Sequence, residues 1–261
     1  MENALLIGLS RQIALYRELE VVANNIANIN TTAYKADTAV FNEFLMPGAS
    51  HGDFLGADRR LSYVHDRATW RDYRPGPLQQ TNNPLDLAID GDAFFVVQTP
   101  RGERYTRNGA LQLNATGQLV TAEGFQVLGD NGPITFQIND SNISIANDGT
   151  IRVREGVDTR SDSQRGTLRL VRFDQNSQLR KDGSTLYSAP AGVLPQPVQP
   201  LQPQTKVRIL QGSLEQSNVR GVVEMSRMIE LTRHYNAIAG LLQQAGDMRR
   251  AAIDKLADAA A

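Results

Sequence analysis

The sequence contains no cysteine among its 261 residues. That excludes disulfides, thiolate catalysis and cysteine-ligated metal. It suits the cytosol, or an oxidising compartment in which a free thiol is a liability. Aromatic residues are scarce, at 6% of the chain with a single tryptophan, so the core is modest in bulk although 41% of residues are hydrophobic. An excess of one charge is missing too. The 27 basic and 28 acidic residues leave a net charge of −1, which offers no electrostatic footprint for nucleic acid or an anionic membrane. No apolar run approaches the roughly 18 residues of a membrane span. The opening stretch MENALLIGLSRQIALYRELE starts with an acid and interrupts its apolar run at Arg11. It lacks the basic start and small-residue cleavage site of a secretory signal. If this protein leaves the cytoplasm, it needs a route without a cleaved signal.

Groups for catalysis are equally sparse. The three histidines, His51, His65 and His234, share no metal-like spacing, and they read as loop, surface or packing residues. Asp86, Asp90 and Asp92 in PLDLAIDGDAFF are the one acidic cluster. A calcium loop needs regularly spaced oxygen ligands, a glycine at its sixth position and a closing glutamate. This stretch instead has apolar residues between its acids, so Asp90-Gly91 reads as a turn into the strand FFVV. Arg101-Gly102 reads as a hairpin turn. No G-x-S-x-G and no glycine-rich strand-to-helix fingerprint occurs. The expectation is no catalytic residue, no cofactor and no metal. A carbohydrate-active β-rich enzyme is the rival reading, and it would need those three carboxylates to converge.

What is present is periodicity. Near the N-terminus Leu6, Leu9, Ile13, Tyr16, Ala23 and Ala27 recur at steps of three and four, with Glu20 the one miss. Near the C-terminus Met228, Leu231, Tyr235, Ile238, Leu242, Ala245, Ala252 and Leu256 do the same, interrupted by Arg249. These heptad seams predict helices over 3–29 and 222–258. Between them the period falls to two. DAFFVVQ, ERYTRNGALQLN, QLVTA, FQVLG, ITFQI, NISIA, TIRVRE, TLRLVRF and TKVRIL read as short strands. Turn signals at Asn108-Gly109, Asp130-Asn131-Gly132, Asn147-Asp148-Gly149 and Asp182-Gly183 separate them.

The fold class is therefore α+β. Residues 1–35 and 218–261 form a terminal helical, coiled-coil-like domain, and 84–188 form a mainly antiparallel β domain. Residues 36–83 and 189–217 are irregular connecting segments, with the proline-rich 189–204 expected to be an extended polyproline-II connector. The seams suit either a hairpin packed within one chain or packing between copies. One helix pair wetted on its outer sides is poorly supported alone, which favours contacts between copies and predicts termini that order only on assembly.

The stretch NNIANINTTAYK, 24–35, closes the first helix with amides. On a continuing helix Asn24, Asn25 and Asn28 share a face, and amides both donate and accept without the cost of burying a charge. This face reads as an interface strip, followed by a threonine-rich turn to Tyr34.

VVANNIANINTTAYKAD resembles the N-terminal motif of the flagellar axial proteins, the rod, hook and hook-associated family. The matching residues are Ala23, Asn24, Asn25, Ile26, Ala27, Asn28, Thr32, Tyr34 and Lys35. GDAFFVVQTPRGERYTRNGALQLNATGQLVTAEGFQVLG resembles the family's central block, and QGSLEQSNVRGVVEMSRMIELTRHYNA its C-terminal motif. The short spacing between the first two blocks, together with GTLRLVRF, is most like the proximal-rod members. Distal-rod members share every block, and a hook-type subunit is a further alternative.

The resemblance implies a structural subunit of the basal-body rod. It would be exported by the flagellar type III apparatus without a cleaved signal, would stack helically in the periplasm on other rod subunits and its own copies, and would line a tube with its terminal helices. It implies a subunit interface at Leu9, Ile13, Tyr16, Asn24, Asn25, Asn28, Tyr34, Met228, Leu231, Tyr235, Ile238 and Leu242. Three residues depart from the pattern. Ala33 stands at a usual glycine, Ala93 replaces the glycine before the two phenylalanines, and Asn236 follows Tyr235 where glutamate is usual. If position 33 needs positive φ, alanine costs about 1 kcal/mol or more there.

Overall fold

A computed structural model describes residues 2–46, 61–155, 162–174, 176–198, 200 and 207–259. One long helix opens the chain, α1 (Glu2–Ala27), and one closes it, α2 (Gly221–Ala259). Among the described residues the regular structure between them is antiparallel β, apart from a 3-10 turn at Asn176–Gln178. The chain forms two compact units. Residues 1–27, 37–72 and 220–261 make the helical unit, and 28–36 and 73–219 make the β unit.

In the helical unit α1 and α2 pack antiparallel, since Gly8 lies beside Leu242 while Glu18 pairs with Arg227. Their shared core is small. Leu15, Val22 and Leu231 are buried, with Leu19, Ile26, Met228, Tyr235 and Ile238 partly buried around them. A Cβ on Gly8 would sit 2.7 Å from Leu242 Cδ2, so the glycine permits a close approach. This unit also holds a hairpin, β1 (Asp37–Met46) paired with β2 (Leu61–Arg71) in a register from Asp37↔Arg71 to Met46↔Leu61. Sequence reading treats 36–83 as irregular. The strands escape it because charged and polar residues such as Asp66 and Arg67 break the alternation, and a two-stranded ribbon has no buried face of its own to enforce one.

The β unit is built around β5 (Phe94–Thr99). It pairs with β6 (Gly102–Thr106) on one edge and with Gln126–Gly129 and Leu170–Arg172 on the other. Both faces of β5 are covered. Phe95 and Val97 enter one core with Leu87, Ile89, Leu119 and Ile151, while Phe94 and Val96 enter another with Tyr105, Phe173 and Tyr187. Burial on both sides is why FFVV reads as a continuous apolar run and not as an alternation. β3 (Leu78–Gln80) pairs with Ser213–Glu215, and β4 (Leu87–Asp90) with Arg208–Gln211.

Several expectations change in detail. ITFQI forms no strand and contributes only the bridge Gln118↔Thr135, although Ile134 and Phe136 still enter the core. The proline-rich stretch contains a strand at Gln196–Val198 paired with Leu170–Arg172. Pro197 is tolerated on such an edge strand. Residues 199 and 201–206 of that connector lie outside the described residues, as does His51. Gly91 and Gly102 adopt positive φ at the two expected turns. Gly109 is different. A Cβ there would lie 1.7 Å from the Leu87 carbonyl oxygen, and its own carbonyl accepts from Leu87 N at 2.9 Å. Asn108-Gly109 thus marks a close backbone approach, not a hairpin turn.

Candidate functional site

Three charged side chains far apart in sequence meet inside the β unit. Lys35 is fully buried, and Glu215 and Arg107 are 1% and 2% exposed. Lys35 Nζ donates to Glu215 Oε1 at 2.5 Å and to the Arg74 carbonyl at 2.8 Å. Arg107 Nε donates to Glu215 Oε2 at 2.8 Å. Its remaining nitrogens cap the carbonyls of Gly91 and Ala93 at 3.0 Å and of Ile89 at 3.2 Å. Gly76 N adds a third donor to Glu215, at 2.9 Å.

A buried charge is tolerated only when paired and fully hydrogen-bonded. Here one carboxylate faces two cations, and the excess positive charge is spread over main-chain carbonyls. Burial by itself pushes the Glu215 carboxyl up. Arg107, then Lys35, override this and hold it below the ordinary glutamate range. The arrangement works as a clamp, because its donors are spent on oxygens of this chain.

Backbone conformation delivers Lys35 to the clamp. α1 ends at Ala27, and Thr31 N and Tyr34 N donate back to Asn28 and Thr31 in successive turns. Ala33 then takes φ 57°, in the left-handed region, and its N–H donates to the Glu215 carbonyl at 2.7 Å. Position 33 therefore does need positive φ, and this chain meets the need with alanine. Thr32 Oγ1 donates to Asn108 Oδ1 at 2.8 Å. Asn218 completes the clamp, accepting from Ala36 N at 2.8 Å and donating to the Arg74 carbonyl at 3.1 Å. Segments 28–36, 73–76 and 215–218, from which the chain leaves for the helical unit, are thus tied to one another. The helical unit has its own tie. Asn25 and the Asp37 backbone exchange two hydrogen bonds at 2.8 and 3.0 Å, and Arg71 Nε holds Asp37 Oδ1 at 2.7 Å.

Apart from Asn28, the residues expected at a subunit interface fall into three groups. Leu9, Ile13 and Tyr16 are 48–60% exposed on α1, and Asn24 is exposed as well. Leu231 is buried and Met228, Tyr235 and Ile238 partly buried against α1, with Leu242 against Gly8. Asn25 and Tyr34 are buried at 1% and 0% exposure. Asn25 is spent on Asp37, and Tyr34 lies in the β unit with Lys181 Nζ 4.1 Å from its ring centre. Asn28, just past the helix, accepts from Thr31 Oγ1. Asn25 and Asn28 thus serve separate partners, and of the three amides only Asn24 is exposed.

α1 carries two apolar stripes. Leu6, Leu9, Ile13 and Tyr16 form the exposed one. Leu15, Leu19, Val22 and Ile26, with the same three- and four-residue spacing, face α2. Sequence reading selects the exposed stripe because both stripes fit the period. It misses Arg107 and Glu215 as well, because each stands among other charged residues of its motif block and nothing local marks it as buried.

The acidic cluster disperses. Asp86 accepts from Thr81 Oγ1 and Asn83 Nδ2, Asp90 pairs with Arg208, and Asp92 accepts from Asn176. Among the described residues no group of histidine and acidic side chains could hold a metal ion, and no helix is long and apolar enough to cross a membrane.

Comparison with known proteins gives matches to three family models. "Flagella basal body rod protein" matches residues 5–35, "Flagellar hook protein FlgE/F/G D1 domain" 88–153, and "Flagellar basal body rod FlgEFG protein C-terminal" 210–255. Among whole proteins, the flagellar basal-body rod protein FlgF of Caulobacter vibrioides is 39% identical over 98% of both chains. The chain belongs to the flagellar basal-body rod protein family. Within it the chain is most like FlgF. The FlgF of Mesorhizobium japonicum is 32% identical over 98% of both chains, whereas the FlgG of Buchnera aphidicola subsp. Baizongia pistaciae is 32% identical over 88% of this chain and 90% of its own. Each of the three regions matched by the rod-family models supplies one member of the buried clamp: Lys35, Arg107 and Glu215.

Proposed function

We propose that this protein is a structural subunit of the proximal flagellar rod, with no active site. It is exported without a cleaved signal, and it stacks helically on other rod subunits and its own copies in the periplasm as part of the drive shaft and export channel. The likeness to FlgF along nearly the whole chain carries this reading. The exposed stripe Leu6, Leu9, Ile13 and Tyr16 supports it physically, since a helix apolar on two sides is suited to burial on both. In the polymer that stripe meets neighbouring subunits in a coiled-coil-like layer, as does exposed Asn24, while Met228, Leu231, Tyr235, Ile238 and Leu242 hold α2 in place behind it. A contact that repeats without closing into a ring generates a helical filament. Load on the helices passes along the chain into the β unit, where Lys35, Arg107 and Glu215 anchor the connecting segments. The separate engagement of Asp86, Asp90 and Asp92 supports a role without hydrolysis.

Labelling the protein in basal bodies arrested before the distal rod tests the reading. Label at the rod base supports it, and label confined to completed distal rods would favour a FlgG-like role. Ile13→Asp tests the stripe. Loss of incorporation with an unchanged monomer supports the interface, and normal rods would remove it.

A further inference from the structure

Sulfur enters this chain only as methionine, five residues with no cysteine. Three of these side chains are described, all on α2, and they differ in environment. Met228 is partly buried against the Leu15, Val22 and Leu231 cluster. Met225 and Met248 are 55% and 59% exposed. Met225 shares a face with Val222 and Ile229, at steps of three and four, and both neighbours are exposed. Met248 follows exposed Leu241 by seven residues, on one side of the helix. Met225 and Met248 lie on different sides of α2, both outside the face that packs on α1, and both side chains meet solvent.

We propose that Met225 and Met248 are oxidation sites that control whether the subunit can assemble. The oxidant is hydrogen peroxide. Its O–O bond breaks, one oxygen bonds to the thioether sulfur, and water leaves. The sulfur loses two electrons and becomes a sulfoxide. The product is polar and chiral where the parent was flexible and apolar, and reductases specific for methionine sulfoxide reverse it. A sulfoxide at either position leaves the fold of the chain intact, because both side chains meet solvent. It opposes burial against a neighbouring subunit, because its S=O must then find a donor or be desolvated unpaired. Once the subunit is packed in a rod the sulfurs are covered, so susceptibility belongs to the unassembled chain.

The inference rests on assembly through the terminal helices, and its test is separable from that premise. The purified full-length chain is exposed to hydrogen peroxide and its peptides are mass-mapped over time. Met225 and Met248 are expected to gain oxygen well before Met228. Equal rates for the three would overturn the assignment. In cells relying on the variant chain, Met225→Leu with Met248→Leu is expected to give wild-type rods, and Met225→Gln with Met248→Gln at least a roughly tenfold loss of incorporation, about 1.4 kcal/mol, at unchanged helicity of the purified chain. Normal incorporation of the glutamine pair would refute the proposal while Ile13→Asp still fails. Normal incorporation of both would remove the assembly premise itself.

Discussion

Phe94, Phe95, Val96 and Val97 are fully buried in the β unit, whereas among the described residues only Leu15, Val22 and Leu231 form the buried core between the two helices. The β unit encloses two apolar clusters and a fully hydrogen-bonded ion clamp. Among its described residues the helical unit exposes more large apolar side chains than it buries. A helix pair with so little shared core gains little over its conformational entropy in water. The contrast teaches where assembly draws its energy: the β unit supplies a rigid body, and the helices keep apolar surface in reserve for neighbours.

The sharpest way to break the contrast is through the clamp. Glu215→Gln leaves Lys35 and Arg107 buried with no counter-charge, and removing one partner of a buried pair costs about 3–5 kcal/mol. Urea denaturation of the β unit measures this loss, and a shift below about 1 kcal/mol would show that the clamp does not hold the unit together. Leu231→Ala acts on the other unit. It is expected to cost about 2–3 kcal/mol, at the lower end for a buried leucine because the thin core can collapse around the gap. Hydrogen exchange should localise that loss to α1 and α2 with the β strands unchanged.

Acid sharpens the first result. The Glu215 carboxyl titrates below the ordinary glutamate range in the folded state. Its contribution is therefore complete above the ordinary range and is lost as pH falls through the folded value. Wild type and Glu215→Gln should differ fully at neutral pH and converge only in strong acid. Ile13→Asp comes next, with less than about 0.5 kcal/mol on the monomer because the residue is exposed and its full effect on incorporation. The smallest expected effect is Ala33→Gly. It relieves left-handed strain of about 1–2 kcal/mol but loosens the unfolded chain by a comparable amount. Calorimetry should find a change below about 1 kcal/mol, and a large destabilisation would mean that the buried Ala33 methyl matters more than its φ.

Much of the architecture was legible in the chain. The helical periods place α1 and α2 within a few residues of where they lie. FFVV, TIRVRE and the glycine turns mark β strands, because burial on one or two faces imposes alternation or an apolar run. The hairpin 37–46/61–71 was not legible, since its strands draw their support from other elements. The amides were legible as unusual but not as to purpose. Asn24 and Asn25 are adjacent on the helix, yet one is exposed and the other is consumed by the Asp37 backbone.

By itself the sequence determined the two helices, the β character of the middle and the family, because periodicity and contiguous motifs are local properties. Which of the two stripes on α1 faces α2 was decided only by tertiary structure, since both fit one period. So was the meeting of Lys35, Arg107 and Glu215. They are separated by up to 180 positions, and no local pattern records that a carboxylate in one motif pairs with cations in the other two. That pairing exists only once the strands carrying them exclude water around all three.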